Sequence, residues 1–280
     1  MMSTKRLLGA FAHPDDEGTM SGAILQYSTM GVEPGLVCAT RGEVGEISDP
    51  ALATPENLGQ VREGEMRAAA EVLGIHNLWF LDYRDSGMAG TPDNADPRAF
   101  SQAGAAEVVG KLVAIIRQFR PQVLVTFDET GGYGHPDHIA IYRYTTSAFH
   151  AAADAAQYPE SGPAHSVAKL YYTSFPRSAI RAMGEWMRSQ QHEGWFAELD
   201  AEKLGLPDEL ISVWLNVEQW QETKDRSWAK HRTQMDPNNV MAQLPPEVVR
   251  KWRGRECYQL AASRVGPDTP GENDLFEHIP

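Results

Sequence analysis

Two short stretches of this sequence set a histidine, a proline and an aspartate in a row: His13-Pro14-Asp15-Asp16 near the start and His135-Pro136-Asp137-His138 near the middle. Imidazole and carboxylate groups bind divalent metals and move protons near neutral pH. Pro14 disfavours helix at His13 and stiffens the first stretch. Adjacent carboxylates usually point apart, so Asp15 and Asp16 can take different tasks. Alone, the first stretch reads equally well as acidic residues complementing a helix N-terminus, and His135 and His138 as polar surface. Each element, however, follows an apolar run of strand length, Leu7–Phe11 and Val123–Phe127. Parallel strands there bring both elements to the carboxyl edge of one sheet, where open α/β folds place their ligands. Two histidines and one carboxylate match a catalytic zinc site with a position open for water. The same ligands permit iron(II).

The elements that must position these residues follow from periodicity. Residues 6–11, Gly35–Thr40, Asn77–Leu81, Val123–Phe127 and Ala168–Thr173 read as buried strands of the parallel kind. Met20–Met30, Glu56–Leu73, Ala105–Phe119 and His138–Ala156 read as helices, the first two closed by Gly31 and Gly74. Repeated strand–loop–helix units predict an α/β, Rossmann-like, mostly parallel sheet flanked by helices. Ile211–Val217 reads as a further strand at a sheet edge and Glu218–Arg232 as a helix. Trp186, Trp195, Trp214, Trp220, Trp228 and Trp252 make the C-terminal portion Trp-rich. It is expected to pack beside the active site, as core more than as binding platform. The tail from Val265, rich in Pro, Gly and Asp, is expected to wind over the surface. The expected organisation is a metal-binding core over 1–175, with 176–280 completing the same domain and walling the substrate pocket.

Composition narrows the classes. The 280 residues, 42% hydrophobic and 22% charged, suit one large globular domain. A net charge of -13 argues against nucleic-acid or anionic-membrane partners, which reward clustered Lys and Arg. No apolar run reaches membrane-spanning length. The N-terminal run is too short for a signal peptide. Two isolated cysteines, Cys38 and Cys257, make a disulfide framework implausible, so the default location is cytoplasmic. The oligomeric state is left open, and a homo-oligomer is compatible with the chain.

Ala12-His13-Pro14-Asp15-Asp16-Glu17 and Gly131-Gly132-Tyr133-Gly134-His135-Pro136-Asp137-His138 together resemble the zinc-dependent de-N-acetylases called the LmbE-like or PIG-L family, over roughly the first half of the chain. The resemblance implies that His13, Asp16 and His138 ligate the metal and that Asp15 is the general base acting on a zinc-bound water. It makes His135 the oxyanion-stabilising residue and acid, Asp137 the carboxylate orienting that histidine, and Tyr133 a polariser of the substrate carbonyl. Glu46 and Asp85 resemble residues that contact sugar hydroxyls; solvated loop carboxylates are their bland alternative. Arg62 falls where relatives grip substrate, against the alternative of a helix-surface pair with Glu65. Glu17 gets no direct role beyond supporting the helix start or the ligands.

The implied substrate is an N-acetylated amino sugar, such as N-acetylglucosaminyl-inositol. Sister readings are a mycothiol-S-conjugate amidase and an N-acetylglucosaminyl-malate deacetylase. Relatives of the amidase type carry a lysine at the position of Met20, which weighs against that activity. A non-catalytic sugar-binding protein would require loss of a ligand or the base, and none is lost. A nucleotide-binding Rossmann enzyme would show GxGxxG where this chain has His-Pro-Asp-Asp. His76, His150, His165, His192 and His278 lack ligand spacing and read as surface or satisfied residues. His231 resembles a segment of family members using thiol-sugar substrates, yet a helix-terminal histidine is the simpler expectation.

Overall fold

Seven strands form one sheet: β1 Arg6–Phe11, β2 Glu33–Cys38, β3 Asn77–Phe80, β4 Val123–Thr126, β5 Lys169–Ser174, β6 Val213–Asn216 and β7 Arg255–Ser263. The computed structural model describes residues 4–191, 200–235, 245–266 and 274–280, so His192 and Trp195 lie outside the described residues. The strand order is β3-β2-β1-β4-β5-β7-β6. β1 to β5 pair in parallel, whereas β7 runs antiparallel to both β5 and β6. The sheet is therefore mixed, with its parallel part as expected and β6 at the edge.

Helices cover both faces, which is why β1 and β4 can be almost wholly apolar. These are α1 Ser21–Thr29, α2 Leu58–Leu73, α3 Ala105–Phe119, α5 Pro136–Ala152 and α6 Arg177–Ser189, with α4 a single turn at Gly131–Gly134. α3 buries Val108, Leu112, Ile115, Ile116 and Phe119, the helical stripe that the spacing predicts, and packs on α5. Among the described residues no helix is long and apolar enough to cross a membrane.

The structure corrects several sequence expectations. α5 begins at Pro136, two residues before the expected start, because the His135 side chain caps it and proline suits a first turn that needs no N–H donor. β7 and α6 were not anticipated. β7 mixes Arg255, Glu256 and Gln259 with apolar residues, so no period stands out. α6 does carry a stripe, burying Ile180, Met183, Gly184 and Met187. The described end of the tail is embedded, not draped over the surface: Leu275, Phe276 and Ile279 are buried. Tyr27 of α1 anchors it, donating from its hydroxyl to Asp274 (2.7 Å) and accepting from the Leu275 N–H (2.8 Å). The described C-terminal tryptophans are each half-buried. Trp186 and Trp252 join a small apolar cluster with Met183 and Met187, while Trp228 lies so close to Gly18 that a Cβ there would meet its ring at 3.3 Å.

Candidate active site

Parallel register brings the chemistry-bearing loops to one edge. Phe11 pairs with Cys38, and Cys38 with Phe80, so the chain leaves β1, β2 and β3 at one level. β4 ends beside them and feeds the α4 turn and the N-terminus of α5. The first motif curls on itself: the Asp16 carboxylate accepts the N–H groups of Ala12 (3.1 Å) and His13 (2.8 Å). Its oxygens then lie 3.6 Å from His13 Nδ1 and 3.3 Å from His138 Nε2, and those two nitrogens are 3.1 Å apart. Donor atoms about 2.0–2.1 Å from a tetrahedral zinc would sit about 3.3 Å from one another. Phe127 stacks on the His138 ring at 4.0 Å and fixes its plane.

The outer partners decide which ring nitrogens carry protons. His138 Nδ1 faces the Gly131 carbonyl at 3.0 Å, and a carbonyl only accepts, so Nδ1 holds the proton and Nε2 presents a lone pair. His13 Nε2 faces the Asp137 carboxylate at 3.2 Å and donates to it, leaving the Nδ1 lone pair inward. Two lone pairs and a carboxylate thus meet with no donor among them, and a cation satisfies such a cluster. These residues fit a divalent metal. A proton can stand in for it: burial opposes charge on His13, but Asp137, Asp85 and Asp16 push its pKa well up. Against the same burial penalty, His138 and His13 hold the Asp16 carboxyl far below the usual range.

Asp15 makes no direct hydrogen bond to this trio among the described residues, and its carboxylate is held by Arg62. Its backbone is left-handed (φ 107°), an uncommon conformation for a non-glycine residue. Burial raises its carboxyl to about 6, with Arg62 pulling the other way. A base poised there is ionised at neutral pH and still takes protons readily. Arg62 is buried, donating to Asp15 Oδ2 (3.0 Å), the Pro14 carbonyl (2.6 Å) and the Gly42 carbonyl (3.0 Å). Gly42 must be glycine, since its φ is +67° and a Cβ would lie 2.0 Å from Arg62 Nη1. The surface pair of Arg62 with Glu65 does not form; Glu65 instead accepts from the N–H and hydroxyl of Thr233. These bonds use three of its five N–H donors, and its Nε–H, buried, has no partner among the described residues.

The other expected residues divide. His135 stands against both candidate-ligand histidines, with ring centroids 4.6 Å from His13 and 5.0 Å from His138. Its Nδ1 accepts the Asp137 N–H (3.2 Å), so its proton sits on Nε2. Burial and then the two neighbouring histidines lower its pKa to about 4, leaving it neutral. The expectation that the Asp137 carboxylate orients His135 needs correction. That carboxylate is on His13 and on Ser86, whose N–H (2.9 Å) and hydroxyl both donate to it, and His135 receives only the backbone amide.

Asp85 is buried 3.5 Å from His13 Nε2, accepting from the Gly87 N–H, so it is no solvated loop carboxylate. Tyr133, 41% exposed, sets its ring 5.1 Å from that of His138 at the rim. Glu46 is exposed, and its carbonyl accepts from Gln234. Sequence reasoning missed Ser86 and Glu43, which accepts the Asp85 N–H (3.0 Å); neither stands at a diagnostic spacing. It also misread His231, which is fully buried with Nε2 2.6 Å from Glu17. Of the bland histidines, His165 is buried and bonded to the Pro121 carbonyl, and His76, His150 and His278 are exposed.

This sheet and this cluster define an α/β protein with a candidate His/Asp metal site, and comparison supplies the family. The family described as PIG-L, GlcNAc-PI de-N-acetylase, matches residues 8–149. The chain belongs to it. A 1D-myo-inositol 2-acetamido-2-deoxy-alpha-D-glucopyranoside deacetylase of Geodermatophilus obscurus is 40% identical, covering 100% of both chains. A protein of the same name from Rhodococcus erythropolis is 39% identical over 98% of this chain and 97% of its own. Among solved structures, the N,N'-diacetylchitobiose deacetylase of Pyrococcus horikoshii superposes with a TM-score of 0.62 at 20% identity, over 99% of this chain and 87% of that one. That last likeness speaks for the fold alone.

Proposed function

We propose that this protein hydrolyses the acetamide of an N-acetylglucosamine-type conjugate, N-acetylglucosaminyl-inositol first among them, releasing acetate and a free amine. The observation that carries the reading is the close meeting of His13 Nδ1, the Asp16 carboxylate and His138 Nε2, 3.1–3.6 Å apart, with Asp15 beside it. The full-length likeness to proteins named for that deacetylation supports the substrate.

Zinc suits the nitrogen-rich ligand set, and iron(II) is the second choice. A divalent ion held by these three residues would supply Lewis acidity toward the acetamide carbonyl and the attacking water. Asp15 accepts the proton of that water; Arg62 keeps its carboxylate oriented. His135 offers its Nε2–H to the oxygen that becomes anionic, since its Nδ1 is already engaged. Tyr133, at the rim 5.1 Å from the His138 ring, is the second group proposed to polarise the carbonyl. As the tetrahedral adduct collapses and its carbon–nitrogen bond breaks, the proton held by Asp15 passes to the departing amine, leaving acetate. Glu46, Asp85 and Arg62 remain the proposed sugar-side residues, Asp85 also supporting His13.

Residues 176–280 are proposed to complete the domain that 1–175 begins, since β7 and β6 extend the sheet from β5. A cytoplasmic setting suits the thiols of Cys38 and Cys257, both free and buried. The amidase reading is weaker here. Met20 is wholly buried, with its sulfur packed over Gly9, where a lysine ammonium would be costly. The test is acetate and amine release from N-acetylglucosaminyl-inositol, N-acetylglucosaminyl-malate and a mycothiol S-conjugate, using metal-stripped, zinc-loaded and iron(II)-loaded protein. Release from the inositol conjugate in a metal-loaded form alone is expected. Failure with all three compounds in every form would reject the assignment.

A further inference from the structure

We propose that Glu17 and His231 act together as a positioning pair for Asp15, a role that rests on the deacetylase reading of that aspartate. Asp15 holds a left-handed backbone (φ 107°, ψ -22°), which persists in a protein only where neighbours over-determine it. Its N–H donates to Glu17 Oε2 at 3.0 Å, and the other oxygen of that carboxylate meets His231 Nε2 at 2.6 Å. Both side chains are out of solvent, at 2% and 0% exposure. Nδ1 of His231 has no partner among the described residues, so its whole hydrogen-bonding capacity there is directed at Glu17.

The turn that delivers His231 is itself fastened to the pocket. Thr233 donates twice to Glu65 of α2, the helix that carries Arg62, and its carbonyl accepts the Ser48 N–H (2.9 Å). Gln234 holds the Glu46 carbonyl at 2.9 Å. One C-terminal turn therefore ties together the first motif, the loop after β2 and α2. Asp15 is gripped from two sides, by Glu17 through its amide and by Arg62 through its carboxylate. Loss of the amide grip frees the backbone to relax toward negative φ and swings the carboxylate away from the reacting water.

Zinc-loaded parent, Glu17→Met, Glu17→Gln and His231→Leu are compared for kcat, KM and bound metal, each also in an Asp15→Ala background. Misplacing a reacting group by about 1 Å costs about 100-fold, so Glu17→Met and His231→Leu should lower kcat by about 10- to 100-fold, with KM changed less than about threefold and metal retained. Glu17→Gln keeps an acceptor for the Asp15 N–H and should recover most of the rate. In the Asp15→Ala background the same changes should alter the residual rate less than about twofold, the coupling expected of residues acting through one group. Equal losses in both backgrounds, or losses that track bound metal, would overturn the proposal. If the parent itself releases no acetate, the deacetylase reading fails and the crystal structures decide. Glu17→Met should take Asp15 out of the left-handed region, and Asp15 unmoved in that variant refutes the pair.

Discussion

Replacing Arg62 by methionine tests the electrostatics of the base without touching a metal ligand. The guanidinium is 3.0 Å from Asp15 Oδ2 and nearly buried. At an effective dielectric of about 20, a unit pair at that separation is worth about 5 kcal/mol, an upper bound of roughly 4 pKa units. Measured effects of removing one opposite charge are smaller, about 1–3 units. Burial already raises Asp15 to about 6 in the metal-free protein, and a bound dication would pull it lower. The parent's acid limb in kcat/KM should therefore lie at or below about 6, because a base must be deprotonated and the rate falls as pH drops through its pKa.

Arg62→Met moves that limb upward. With a two-unit shift, an assay one unit above the parent limb finds only about a tenth of the base ionised, an approximately tenfold loss that disappears at higher pH. The buried carboxylate and two carbonyls lose their donor, so a stability loss of about 3–5 kcal/mol is also expected. The profile should accordingly be recorded at low temperature, with thermal melting alongside. A folded, metal-loaded Arg62→Met enzyme whose limb moves by less than about half a unit would refute the argument, because normal scatter in carboxylate pKa values is about a unit.

Other outcomes follow from the same geometry. His13→Ala should lose metal, whereas Asp15→Ala should keep it and lose nearly all turnover; metal analysis beside acetate release separates the two. Ser86→Ala removes the hydroxyl that fixes the Asp137 carboxylate on His13, and a 10- to 100-fold weaker metal affinity is expected by titration against a chelator, about the usual effect of losing such a supporting bond. Gly42→Ala should abolish activity and destabilise the fold, since its Cβ would collide with Arg62 at a left-handed position. Deleting residues 274–280 removes three buried apolar side chains, each worth about 1.5–3 kcal/mol, and should lower Tm markedly in a thermal scan.

The parallel strands were legible because burial on both faces makes them continuous apolar runs bounded by turns. The meeting of the two motifs was legible for a different reason: each follows a parallel strand, β1 or β4, that pairs with the other, and the family resemblance then singled out His13, Asp16 and His138 as candidate ligands. Arg62 was ambiguous, because a charged residue on an amphipathic helix reads as surface whether or not a distant loop covers it. Here Gly42 and Pro14 cover it. The Glu17–His231 contact spans 214 residues, and no local pattern announces a pairing at that range. The carboxylates of Asp85 and Asp137 were both expected near the site. Their attachment to His13 depends on how the loops after β3 and β4 fold against each other, which spacing does not report. β7 stayed hidden because a mixed polar and apolar strand lacks the run that marked the parallel ones.

Acetate release from N-acetylglucosaminyl-inositol, followed for metal-stripped protein before and after zinc is restored, tests the central claim most directly. Release is expected only after restoration and only while Asp15 is intact. Equal release by stripped protein, or by Asp15→Ala, would contradict the account.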